Sequence, residues 1–295
     1  FVILTDTHLV PEGHKLFSLN PAERLCEAVA HINRDQSDAS LIIVTGDLAH
    51  WGERAAYERF LAAIDGSKIP IRLMLGNHDK RHAFREIFPS AADDGNGFVQ
   101  WTETFPSFSM IALDTLDEVG PTHAGLLCEE RLAFLKVALE AAPADRPLLL
   151  FQHHPPFDVG LPSMDAIKLR NGIEEWQLIE AVGRRPDFMF MGHVHRPISG
   201  SWNGIPVHIQ RGLAHQVDLD FQADRIPGTL EDPDYSVVIV ADGQIIIHQT
   251  SYTYDGPRFW LSDQQGKTGL FSRTTYKHWL AMLMHESSRA CQWQV

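Results

Sequence analysis

Five apolar runs in this chain are each followed at once by residues that bind metals or move protons. Phe1 to Thr5 leads into Asp6-Thr7-His8, and Leu41 to Thr45 leads into Gly46-Asp47. Ile71 to Leu75 leads into Gly76-Asn77-His78-Asp79, Leu148 to Gln152 into His153-His154-Pro155-Pro156, and Asp187 to Met191 into Gly192-His193-Val194-His195. Short apolar runs bounded by turn residues read as buried strands. Side chains at the ends of parallel strands project into the loop layer, where the sites of open α/β sheets lie. Any one of these fragments reads equally well as a turn, because Asn, Asp and Gly close strands for backbone reasons. The five together do not. Strand ends converging on one edge crowd carboxylates and imidazoles at high desolvation cost unless something neutralises them.

The stretches between the runs have helical spacing. One helix is expected from Pro21, with Asn20 as its cap and Pro at the first helical position. Glu53 to Ile64 places Tyr57, Phe60, Leu61 and Ile64 on one face. The opening is therefore β-α-β-α-β, a parallel layer covered by helices. Phe98 to Glu103 and Ser107 to Leu113 read as neighbouring short strands, and Glu129 to Ala142 and Glu174 to Arg184 as helices. Asn203-Gly204 lies between Ile198-to-Trp202 and Ile205-to-Ile209, and Asp242-Gly243 between Tyr235-to-Val240 and Gln244-to-His248. Both dipeptides favour tight type I′ hairpins, so a second, antiparallel region and a two-sheet sandwich are expected. Tyr276 to His285 sets Trp279, Leu280, Leu283 and Met284 on one helical face. With 295 residues, we expect one large domain over 1–250 and an extension over 251–295 that packs on it or at an oligomer interface.

Charge and cysteine usage narrow the function. A formal net charge of −13 lacks the basic footprint that a nucleic-acid polymer requires. Small anionic substrates stay open, because bound cations reverse the local field. Cys26, Cys128 and Cys291 form neither a disulfide framework nor a thiolate zinc pattern, which favours a reducing cytoplasm. No apolar run reaches transmembrane length and no signal peptide is visible, so no membrane partner is expected. The chain opens without Met, and a trimmed native start is expected. Carboxylate, imidazole and amide without thiolate suit Mn²⁺, Fe²⁺, Zn²⁺ or Co²⁺. Their number exceeds one ion's needs. It suits two ions sharing a carboxylate, which clamp the attacking and leaving oxygens of a phosphoryl centre.

In order, the blocks D-x-H, G-D, G-N-H-D, H and G-H-x-H from Asp6 to His195 resemble the signature of the calcineurin-like metallophosphoesterases. The resemblance implies a four-layer α/β-β/α sandwich of two mixed sheets flanked by helices, with a binuclear centre between the sheets. It implies that Asp6, His8 and His195 hold one ion, that Asn77, His153 and His193 hold the other, and that Asp47 bridges them. It places His78 outside the metals, facing the phosphate, with Asp79 orienting its imidazole. Asn77, His78 and Asp79 are thus the expected catalytic group.

Departures and finer similarities select a branch. Gly46-Asp47-Leu48-Ala49-His50-Trp51-Gly52 lacks the arginine of the serine/threonine phosphoprotein phosphatases. His50 stands where purple acid phosphatases carry a tyrosine ligand, and its role is open between support of the centre and simple exposure. His153 to Phe157, Met164 to Asn171 and Gly192 to Pro197 resemble bacterial class III cyclic-nucleotide phosphodiesterases and related glycerophosphodiesterases. This implies hydrolysis of small phosphodiesters by in-line attack of a metal-bound hydroxide. Phosphomonoesters or nucleotide anhydrides are the alternative for the same fold. His78, or a second metal-bound water, would protonate the leaving alkoxide. His215 follows the Ile205-to-Gln210 run and is a candidate substrate contact or an ordinary loop residue. Tyr252, Tyr254, Phe259 and Trp260 suit base stacking, core packing or an oligomer interface. A homo-oligomer is expected.

Overall fold

The computed structural model describes residues 1–258. Phe1–Tyr252 forms one compact unit, and Thr253 begins a second. Phe259, Trp260, Cys291 and the helical face expected over 276–285 lie outside the described residues. Among the described residues, no helix is long and apolar enough to cross a membrane.

The first half follows the expected alternation. Strands β1 (Val2–Leu4), β2 (Ile42–Val44) and β3 (Ile71–Leu73) run parallel and adjacent. Helices α1 (Pro21–Asp35) and α2 (Arg54–Ile64) connect them, and α3 (Arg81–Ile87) follows β3. Asn20 occupies the cap position of α1 but makes no capping bond. Its Oδ1 accepts from Arg59 Nη2 at 2.8 Å instead. Pro21 then suffices for the start, since its φ is preset and it has no N–H to satisfy. On α2 the buried face is Ala56, Tyr57, Phe60 and Ala63. Leu61, expected there, is 42% exposed; the alanines extend the Tyr57–Phe60 stripe on the other side.

The second half opens with the antiparallel pair β4 (Trp101–Thr104) and β5 (Ser109–Ala112), then α4 (Glu129–Ala141) and β6 (Leu148–Phe151). Helices α5 (Pro162–Asp165) and α6 (Gly172–Val182) lead to β7 (Phe188–Met191). The hairpin β8 (Ile198–Trp202) and β9 (Ile205–Ile209) follows, then the two-residue strands β10 (Gln216–Val217) and β11 (Gly228–Thr229), and the hairpin β12 (Asp234–Ala241) and β13 (Gln244–Ser251). Asn203 and Asp242 have φ of 49° and 51°, as the expected type I′ turns require. Two main sheets result, ordered β13-β12-β1-β2-β3 and β4-β5-β6-β7-β9-β8. Both are mixed: β12 runs antiparallel to β1, and β5, β6, β7 and β9 are parallel.

Side-chain alternation along each strand separates three apolar spaces. Val2, Leu4, Ile42 and Val44 face α1 and α2, where Leu25, Ile32, Tyr57 and Phe60 pack. Leu148, Leu150, Met189 and Met191 face α4 and α6, with Leu135, Leu139 and Ile179. The intervening residues Ile3, Ile43, Leu149, Phe151 and Phe190 meet in the middle. Phe151 and Phe190 stack there at 4.9 Å. Helices, sheet, sheet, helices is thus the layer order, the expected four-layer sandwich. Parallel strands of both sheets end along one edge, where the polar blocks lie.

Candidate metal centre

Each block leaves its strand through a tight bend. Nine non-glycine residues among those described have a left-handed φ, and five are Asp6 (51°), His8 (46°), Asp47 (53°), His193 (68°) and His195 (54°). Asp and His tolerate this region better than most side chains, yet each instance still costs about 1–3 kcal/mol. The bends carry Asp6 and His8 into one cluster with Asp47 and His195. Cross-links hold them: Asp6 N–H donates to the Gly46 carbonyl at 3.1 Å, His8 N–H to the Asp47 carbonyl at 2.9 Å, and Gly192 N–H to the His153 carbonyl at 3.2 Å. Two glycines give the space. A Cβ at Gly46, itself at φ 112°, would lie 2.5 Å from His153 Nδ1, and one at Gly76 would lie 2.6 Å from His153 Nε2. No side chain fits at either place.

The polar atoms converge on Asp47. Its Oδ1 accepts from the His78 N–H at 2.9 Å. Its Oδ2 lies 3.6 Å from His8 Nε2 and 3.4 Å from His153 Nε2, from opposite sheets. His8 Nε2 and His195 Nε2 are 3.0 Å apart, and Asp6 Oδ1 is 3.2 Å from His195 Nε2. Asn77 Oδ1 and His193 Nδ1 are 2.8 Å apart. Asp6, His8, Asp47, His153, His193 and His195 are all buried. The structure therefore brings together all seven residues expected as ligands.

This donor set fits divalent cations. Asp6 Oδ1 and His153 Nε2 are buried and make no hydrogen bond. Burial lowers His153, but Asp47 and Asp6 outweigh it and push it up to about 9. Burial likewise lowers His195, and Asp6 more than reverses it. Carboxylates that draw protons onto neighbouring imidazoles are the field a cation satisfies. The outer ring nitrogens are tied, as ligand histidines require. His153 Nδ1 donates to the Thr45 carbonyl at 2.8 Å, and His195 Nδ1 to the His215 carbonyl at 2.7 Å.

A family model for calcineurin-like phosphoesterases matches residues 1–197. The chain belongs to that family. It is 57% identical, over 89% of its length and 96% of the relative's, to a probable cyclic nucleotide phosphodiesterase of Rhodopseudomonas palustris. It is 30% identical, over 87% of its length and 94% of the relative's, to a probable glycerophosphodiester phosphodiesterase of Arcobacter nitrofigilis. Among solved structures, a purple acid phosphatase from yellow lupin seeds superposes with a TM-score of 0.59 at 17% identity. That match covers 85% of this chain but 53% of the lupin enzyme, so this chain spans about half of its length; the likeness shows the fold.

Around the centre of this calcineurin-like phosphoesterase, several roles differ from expectation. Asp79 does not touch the His78 imidazole. Its carboxylate is fully buried and accepts from the N–H groups of Leu48, Ala49 and Gly76 and from Tyr57 O–H, at 2.9–3.1 Å. It ties the Asp47 loop to the Asn77 loop, and adjacency in sequence was misleading because neighbouring side chains point apart. His78 Nδ1 donates instead to the His50 carbonyl at 2.7 Å. His50 itself supports the centre: its Nδ1 lies 3.1 Å from His8 Nδ1. Burial and nearby His78 push His50 down to about 4, which keeps it neutral.

His123 escaped the sequence reading. It comes from an irregular loop with neither strand pattern nor motif. Its Nδ1 lies 2.9 Å from Asn77 Nδ2, which turns the amide oxygen toward His193, and its ring stacks on His78 at 4.9 Å. His154 stands close enough to His153 and His193 to form a third ligand of that cluster. Both its nitrogens are engaged, however, by Thr115 Oγ1 at 2.7 Å and the His123 carbonyl at 3.1 Å. It braces the loop. His215 does reach the site, with its ring 4.4 Å from His195. Tyr252 packs in the core against α1 and is no base platform.

Proposed function

We propose that this chain hydrolyses small phosphodiesters at two divalent ions, with cyclic nucleotides and glycerophosphodiesters as the substrate classes suggested by its relatives' names. Asp6, His8 and His195 hold one ion, Asn77, His153 and His193 the other, and Asp47 both. The oxygen and imidazole donors favour Mn²⁺, Fe²⁺, Zn²⁺ or Co²⁺. Such a pair supplies an acidified water and a charge clamp for the phosphoryl oxygens.

The observation that carries the diester reading is the cavity over Asp47. Its volume is about 590 Å³, within the range that holds small ligands. Its polar wall includes Asn77, His50, His78, His123, His195 and His215, and none of the described residues lining it is Lys or Arg. A diester monoanion carries less charge to offset than a monoester dianion, which suits a wall without Lys or Arg where the ions alone would supply the positive charge. With Nδ1–H donating to the His50 carbonyl, His78 is a donor at Nε2 only as the imidazolium, and in that form it gives the Nε2 proton to the leaving alkoxide or hydrogen-bonds the phosphoryl oxygen. His215 contacts the bound ester from the side of the first ion.

Free Cys26 and Cys128 support a cytoplasmic setting, and a homo-oligomer is tested by light scattering. The functional reading is tested by kcat/KM with Mn²⁺ on bis(p-nitrophenyl) phosphate and p-nitrophenyl phosphate. We expect the diester to be preferred; preference for the monoester overturns the reading.

A further inference from the structure

The loop joining β1 to α1 contains a turn whose sequence does not suit its geometry. Leu16 and Leu19 exchange both backbone hydrogen bonds, at 3.0 and 2.8 Å. The two residues between them, Phe17 and Ser18, have φ of 49° and 69°. Two left-handed central residues define a type I′ turn, which strongly prefers Asn-Gly, Asp-Gly or Gly-Gly. A bulky aromatic at its first central position is a genuine outlier. Strain of this kind points to a function more than to packing.

The strained turn displays a ring. Phe17 is 59% exposed, although it is large and apolar. It lines the same cavity as Asp47, His50, His78 and His195. The His215 ring lies 4.9 Å from it at an interplanar angle of 67°, and the His50 ring 6.5 Å from it at 78°, which places Phe17 next to the first ion site. Met164, Ile167, Val217, Ile226 and Leu230 also line the cavity and give it apolar surface besides its imidazoles. The cavity thus combines imidazoles with apolar surface, and Phe17 is an exposed part of its lining.

We propose that Phe17 is a specificity-determining platform on which a flat aromatic ring of the substrate, such as a nucleobase on one arm of the diester, stacks while phosphorus sits over Asp47. The proposal rests on the phosphodiesterase reading above. An aromatic face accepts any planar base, so Phe17 selects for an aromatic arm without selecting among bases.

The test compares wild type, Phe17→Ala and Phe17→Trp on cyclic AMP, bis(p-nitrophenyl) phosphate and glycerophosphoethanolamine, an alkyl diester. For Phe17→Ala we expect KM for the two aromatic substrates to rise about 10-fold, as loss of one stacking face predicts. Its kcat and metal content should stay unchanged, as should KM for the alkyl diester. Phe17→Trp should restore the aromatic KM. An equal rise for aromatic and alkyl substrates, or no rise for either, overturns the proposal while leaving the phosphodiesterase reading intact. A wild-type enzyme inactive on every diester overturns both.

Discussion

At His78 the ring is held between two others, stacked 4.8 Å from His50 and 4.9 Å from His123, with Nδ1 donating to a carbonyl. None of those contacts uses a metal ligand's donor atom. His78→Ala should therefore leave both ions in place while kcat falls about 10²–10⁴-fold, the range for a positioned general acid. The loss should be largest for alkyl diesters and smaller for p-nitrophenyl esters, whose leaving group needs little protonation. Metal analysis and kcat on both ester types check this; a lost ion sinks the placement. The seven candidate ligands were legible because strand-ending blocks carry them. The support was not. Asp79 and Tyr57 meet across 22 residues, and His123 and Asn77 across 46, with no period in the sequence to join them.

At the level of elements, short apolar runs bounded by turn residues were enough to find the buried strands, and Asn203-Gly204 and Asp242-Gly243 to find both hairpins, because burial and tight turns each demand particular residue types. The short pieces left no such trace: α5 has four residues, and β10 and β11 two each. Nor does sequence spacing show that five of the seven candidate ligand positions adopt left-handed backbone, since that goes with cross-links between segments far apart in the chain. One buried group on α6 gives a pH test. Burial pushes Glu175 up to about 8, against a weaker opposing contact from Gln152. The folded carboxyl therefore binds its proton more tightly than the ordinary group at 4.5. Its contribution to stability is complete below about pH 4.5 and is lost as pH rises toward about 8. Glu175→Gln should remove this dependence and gain on wild type across that window in urea unfolding. Parallel pH profiles for the two proteins would contradict the assignment.

For the whole molecule, the site exists only where both sheets meet. The ends of β1, β2 and β3 bring Asp6, His8, Asp47 and Asn77; those of β6 and β7 bring His153, His193 and His195. Each ion site, as proposed, draws on both groups, and on that reading metal binding and sheet packing are coupled. The layer of Ile3, Ile43, Leu149, Phe151 and Phe190 holds the two halves in register. That two halves exist was readable from the motif order. The strand order was not, because β9 inserts between β7 and β8, and β12 returns beside β1, on long-range pairing alone. The central claim is that Asp47 joins two ions across the sheets. Metal analysis of Mn²⁺-saturated, desalted protein tests it most directly. Wild type should retain about two ions per chain, and Asp47→Ala should retain less than one and lose turnover. One ion per chain at saturation in wild type, or two retained by Asp47→Ala, would contradict it.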